Sequence, residues 1–149
     1  MPGWNRSELS TELDHMPEIL LEGPFESDYS LAIVNRRLAK GLLALNVSLK
    51  LHQRDNTTPY PPSDAFLRDN PDLAPLFVKT LPRHPVDVHS RYIYPPHTDR
   101  FAGRLRVMHC YGWEESGFPL RWVEEFNCGL DLVTVMSSYV RDVLQDNGV

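Results

Sequence analysis

Four short stretches hold the residue types that could do chemistry. They are Gly23-Pro24-Phe25-Glu26-Ser27, His89-Ser90-Arg91-Tyr92, the run from His109 through Tyr111 and Trp113 to Glu114-Glu115, and Ser137-Ser138. Imidazole titrates near neutrality, so His109 could carry a proton or hold a hydroxyl; a histidine bonded within a sheet rim is the equal alternative. His89 reads more readily as part of a loop clamp with Arg91. Glu114-Glu115 supplies carboxylates without a fixed partner. Trp113, beside polar residues, is the better candidate for a flat sugar-facing platform, whereas Trp122 reads as packing. The turn Gly23–Ser27 could offer backbone N–H groups to an anion or a hydroxyl, but an ordinary turn with a serine cap is the favoured reading of the turn alone.

Several chemistries lack their signatures. The first turn does not carry the three glycines of a dinucleotide fingerprint, which also weighs against an epimerase or dehydrogenase. The Walker phosphate loop, the Gly-x-Ser-x-Gly elbow and the His-x-x-x-His and Cys-x-x-Cys spacings are absent. No metal and no cofactor are therefore expected. Cys110 and Cys128 are too few for a disulfide scaffold and read as two buried thiols in a reducing cytoplasm.

These stretches need elements to position them. Ile19-Leu20-Leu21, closed by Glu22-Gly23-Pro24, reads as a strand buried on both faces. With Ser27-Asp28 as its cap, a helix is predicted with Leu31, Val34, Leu38, Leu42 and Leu45 on its apolar side and Asn35, Arg36, Arg37 and Lys40 on the others. Its glycine, Gly41, suggests a close contact with a sheet. Val47, Leu49 and Leu51 alternate with polar residues, as in a half-buried strand near a sheet edge. Strands at Val86–Val88, Leu105–His109 and Leu132–Met136 follow. Helices are expected from Pro119 to Gly129 and from Ser137 to Asn147-Gly148.

Thirteen prolines are present, and nine lie between Pro59 and Pro96. This density marks residues 54–85 as a helical insertion, with short helices capped by Ser63-Asp64 and Pro71-Asp72; it would cover a helix or form a ligand loop. Residues 1–15 show no period and read as a tail. Strands alternating with helices give an α/β fold, a Rossmann-like parallel sheet with helices on both faces. In such sheets ligands bind beyond the carboxyl ends of the strands, where the four stretches fall.

The chain has 149 residues, 42% apolar and 23% charged, with a formal charge of −5. This is the balance of one ordinary globular domain. It argues against a nucleic-acid binder, which would carry a basic stripe. No apolar run is long enough to span a bilayer, and no secretory signal opens the chain. A cytoplasmic protein is expected. Arg36, Arg37 and Lys40 leave a peripheral membrane role open, against the blander reading of a solvated helix face.

Two segments resemble one family. Glu22-Gly-Pro-Phe-Glu-Ser-Asp-Tyr-Ser-Leu-Ala-Ile-Val-Asn-Arg36 resembles the opening of bacterial group 1 (family 4) glycosyltransferases. The stretch from Arg104 to Val149, with Tyr111-Gly-Trp-Glu-Glu-Ser-Gly-Phe-Pro119, Asp131 through Ser137-Ser-Tyr-Val, and Asp146-Asn-Gly-Val149, is the stronger match. The likeness covers about residues 17–149.

It implies the N-terminal half of a two-domain GT-B fold, in which this half receives the acceptor. A C-terminal domain binds the nucleotide-sugar donor and supplies an acidic Glu-x7-Glu-type motif. The chain ends where the family crosses into that second domain, so a donor domain is expected to be missing. The resemblance further implies a glycan or lipid-linked acceptor and no bound metal. His109 or Glu114 would be the catalytic candidates, orienting an acceptor hydroxyl. Gly23, Pro24, Phe25, Ser27, His89, Arg91, Tyr111, Trp113 and Ser137 would line the acceptor side. The first turn departs from the commoner glycine-rich pattern, having only Gly23. A face meant for a second domain could instead pair with another copy, as a homo-oligomer. The reading from a different class is a non-catalytic, flavodoxin-like interaction module.

Overall fold

The apolar run Ile19-Leu20-Leu21 forms the middle of β1 (Glu18–Gly23), a central strand of the sheet. The computed structural model describes residues 16–56 and 58–149; the predicted tail, residues 1–15, lies outside them. From β1 the chain runs through α1 (Ser30–Ala44) to β2 (Ser48–Asp55), then β3 (Thr58–Pro59), α2 (Asp64–Asp69) and a 3-10 turn at Ala74–Leu76. It continues through β4 (Val86–Arg91), β5 (Gly103–Tyr111), α3 (Leu120–Gly129), β6 (Leu132–Val135) and α4 (Ser138–Asp146). The sheet order is β3-β2-β1-β4-β5-β6, parallel throughout except for the short β3 beside β2. The α/β, Rossmann-like arrangement inferred from the sequence is thus observed.

Register shows how the two faces differ. Leu21 pairs with Ser90 and Ser90 with Val107, whereas Glu22 pairs with Arg91 and Arg91 with Met108. Neighbouring residues on a strand point to opposite faces, so Leu21 and Met108 lie on opposite sides. On the Leu21 side, Leu49, Leu51, Phe25 and Ala39 of α1 form one core. On the Met108 side, Phe126 and Val123 of α3 and Val140 and Leu144 of α4 form another, with Tyr111 and Phe118. Crossovers of one hand produce this: β1 to β2 and β5 to β6 step in opposite directions along the sheet.

The proline-rich insertion closes the first core. Ser63 Oγ accepts from the Phe66 N–H at 3.2 Å, capping α2 as expected. Phe66 and Leu73 are buried in that core, and Phe77 packs edge-on against Phe25 and Phe66. Val78 N–H donates to the Leu51 carbonyl at 2.8 Å, tying the segment to β2.

Other local expectations are corrected. The predicted cap of α1 at Ser27-Asp28 does not form; the N-cap is Tyr29, without a side-chain bond. The helix buries Ala32, Asn35 and Ala39, while Leu45 is 69% exposed. Small side chains let the helix approach the sheet closely, and that approach is not at Gly41, where an added Cβ would meet open space. Gly129 matters through proximity instead. It is the last residue of α3, and an added Cβ would stand 2.5 Å from Thr98 Cβ. Cys128 is exposed and Cys110 half-buried, so neither is the fully buried thiol expected. Of the basic residues of α1, Arg37 is exposed and Lys40 pairs at the surface with Asp72 at 3.3 Å, as on a solvated face, whereas Arg36 is drawn in to donate to the carbonyls of Phe25 and Ser27. Among the described residues, no helix is long and apolar enough to cross a membrane.

Candidate functional site

Strand β1 has β2 on one side and β4 on the other, so the chain reverses direction across the sheet there. The carboxyl edge beside such a reversal is where an open α/β sheet leaves a crevice. An open cleft of about 580 Å³ lies at that edge. Ser30, Leu31 and Val34 from the start of α1 form one wall. Tyr92 and Tyr94, just past β4, and Gly112 to Glu115, just past β5, form the floor and another wall. Met136 after β6 and Val140 in α4 complete it.

The geometry of this cleft is aromatic and acidic. Trp113 donates its indole N–H to the Gly117 carbonyl at 2.9 Å, and its ring meets Phe118 and Trp122 edge-on at 5.2 and 5.5 Å. That packing orients the indole. Tyr139 O–H donates to the Glu114 carbonyl at 3.3 Å, anchoring the loop after β5 to α4. Tyr92 hydroxyl reaches Met136 Sδ at 3.8 Å across the cleft. The carboxylates of Glu114 and Glu115 are exposed and have no partner among the described residues. Among the described residues, the lining contains no lysine, arginine or histidine.

Of the residues singled out from sequence, Tyr92, Trp113, Glu114 and Glu115 line this cleft. Ser137 is close by but is occupied: its Oγ accepts from the Val140 N–H at 3.2 Å and caps α4. Tyr111 and Phe25 are buried in the two cores instead. Burial pushes the Tyr111 hydroxyl upward, and it has no hydrogen-bond partner. The turn from Gly23 to Ser27 is stapled to α1. Asn35 Nδ2 donates to the Pro24 carbonyl at 2.9 Å, Arg36 bonds the carbonyls of Phe25 and Ser27, and an added Cβ at Gly23 would stand 2.5 Å from Asn35 Nδ2. The turn is a packing joint and contributes none of the cleft lining.

His109 is likewise a fastening. It is 5% exposed, and both ring nitrogens are used. Asn35 Nδ2 faces the carbonyls of Pro24 and Tyr92, so its Oδ1 must accept; His109 Nε2 therefore carries the proton and donates to it at 2.8 Å. Nδ1 then accepts from the Ser90 hydroxyl at 2.8 Å. Burial lowers the imidazole pKa to about 4, so this histidine is neutral near pH 7. It pins α1 to the sheet and does not line the cleft.

His89 and Arg91 are not a strand-end loop, because β4 runs on through Arg91. Both are fully buried around Glu22. Glu22 Oε2 accepts from Arg91 Nε at 2.6 Å and from His89 Nε2 at 2.9 Å; Oε1 accepts from His52 Nδ1 at 3.0 Å and Arg54 at 3.4 Å. His89 Nδ1 accepts from the Ala102 N–H at 2.9 Å, which assigns its neutral tautomer. Burial pushes the Glu22 carboxyl up, but the bonds from His52 and His89 and the charge of Arg91 outweigh it and hold it far below the usual carboxylate range. Burial likewise lowers the His89 pKa, with Glu22 opposing. The connection 92–102 covers this cluster: Phe101 lies 4.2 Å from the Arg91 guanidinium, and Arg91 donates to the His97 carbonyl at 2.7 Å. Among the described residues, no group of three or more metal-ligating side chains could hold an ion.

Tyr94 and Met136 line the cleft although the sequence reading does not single them out. Their signal was positional: each lies a few residues past a strand end. No protein-family model, curated protein or solved structure matches this chain.

Proposed function

We propose that this chain is the acceptor-side domain of a retaining, nucleotide-sugar-dependent glycosyltransferase that takes a glycan or lipid-linked acceptor. The observation that carries the reading is the cleft at the carboxyl edge of the sheet, where aromatic rings and free carboxylates meet without a cation. Sugars present C–H faces that stack on rings such as Trp113 and Tyr94, and hydroxyls that donate to carboxylates such as Glu114. In this reading Glu114 orients the acceptor hydroxyl, and His109 is a positioning residue that keeps the α1 wall in place. A donor diphosphate calls for cations or a phosphate-cradling loop, and the lining offers neither. The donor would therefore be bound by a separate domain, with the acceptor presented across the gap between them.

Calorimetric titration of this chain with nucleotide sugars tests the division of labour. No donor binding is expected, and micromolar binding would overturn it. One observation favours the second reading, an interaction module: Leu120, Met136 and Tyr139 are 71%, 60% and 49% exposed at helix starts and a strand end on this same edge. A protein partner, or a second copy, seated on those side chains is the outcome that would replace the sugar.

A further inference from the structure

Resting on the acceptor reading, we infer that the hydroxyl-rich ligand of this cleft carries a protonated amine, as an amino sugar does. The cleft itself is the first ground: a cavity of about 580 Å³ with the rings of Tyr92, Tyr94 and Trp113 in its lining. An ammonium over an aromatic face is attracted by the ring's electron-rich centre, most strongly over tryptophan.

The second ground is charge. Glu114 and Glu115 bring two full negative charges to the rim, and neither has a partner among the described residues. The acids set in the strands are differently placed: Glu22 has two arginines and two histidines, and Glu18 pairs with Lys50. Among the described residues, Arg37 is exposed one turn past Val34 but lies outside the lining, and other positive side chains close in sequence to the lining are engaged elsewhere. Arg141 pairs with Asp142 at 2.6 Å, and Arg36 bonds the carbonyls of the first turn. The starts of α1 and α4 do open on the cleft. Each helix end is equivalent to only about half a charge and fades within one turn, so together they leave the carboxylates in excess. A neutral sugar would leave that excess unused, and an anionic one would be repelled. A sugar amine can rest on a ring while its N–H groups reach a carboxylate.

Three disaccharides that share one β-1,4-linked skeleton and differ at C2 test this. They are the diglucosamine, its N,N′-diacetyl form, and cellobiose, each titrated into the full chain while indole NMR shifts are followed. The diamine is expected to bind about tenfold tighter than the other two, the combined scale of an exposed cation–ring contact and surface ion pairs. The preference should fall to the smaller share that the rings alone supply in the double variant Glu114→Gln, Glu115→Gln. Equal affinity for all three overturns the amine and leaves the acceptor cleft standing. A preference undiminished in the double variant also overturns it, because the carboxylates would then play no part in reading the charge. Binding by none at millimolar concentration removes both readings.

Discussion

Two regions of this protein gather ionisable side chains, and they are opposites. Around Glu22, two arginines and two histidines converge on one carboxylate, almost without solvent. At the cleft, Glu114 and Glu115 are exposed, with no counter-ion among the described residues. The first region has turned most of its hydrogen-bonding capacity on itself, and the Arg91 Nη2 left without a partner among the described residues is buried beyond a ligand's reach. The second has kept its capacity free. Chemical richness alone therefore does not mark a site; unsatisfied, accessible richness does.

The largest expected effect sharpens this contrast. Glu22→Ala removes the nearest counter-charge of Arg91, leaving Asp99 at 3.6 Å, and strips the buried His89 N–H of its acceptor. A loss of about 3–5 kcal/mol is expected, the scale of breaking a buried ion pair. Urea unfolding at neutral pH measures it, and a loss below about 1 kcal/mol would show the cluster to be as inconsequential as a surface pair.

Next comes the dependence of stability on pH. His109 has a folded pKa of about 4 against about 6.5 when unfolded. The unfolded chain therefore takes up a proton first as the pH falls. Stability drops between about pH 6.5 and 4 and gains no further loss from this group below that; the span corresponds to roughly 3 kcal/mol. His109→Gln should flatten the slope by close to one proton over that range. An unchanged slope would mean that His109 is not the buried neutral fastening described above.

The smallest effect is expected at the cleft. Glu114→Gln and Glu115→Gln should each leave stability within about 0.5 kcal/mol, as exposed substitutions without partners do. A destabilisation comparable to that at Glu22 would erase the distinction between the two regions.

Much of the fold was legible because it rests on local signals. The apolar run of β1, the serine caps of α2 and α4, and the stop at Gly148, with φ of +93°, depend on neighbours in sequence. What was misread depends on partners far along the chain. Asn35 looked like a solvated helix residue, yet it is fully buried, because Tyr92 and His109, 57 and 74 positions away, complete its hydrogen bonds. Arg91 reads from the sequence as part of a loop beyond a strand ending at Val88, yet it is fully buried in the sheet as the last residue of β4. It belongs there only because Glu22 lies beside it in register, 69 positions earlier. Of the site, Trp113 and Glu114 were legible as polar and aromatic residues at a strand end. Tyr94 and Met136 were not, since nothing in their own neighbourhood says which strands are adjacent.

The connection from Tyr92 to Ala102 joins two parallel strands without a helix. Its first residues are cleft wall, its last ones lie over the ion cluster, and Thr98 in its middle is pressed against Gly129. An ordinary surface loop tolerates lengthening, since doubling it costs only about 0.6 kcal/mol. This one is gauged like a spacer between two fittings. One residue more or fewer would move Tyr94 out of the cleft or Phe101 off Arg91, so here length itself, more than composition, is the inherited constraint.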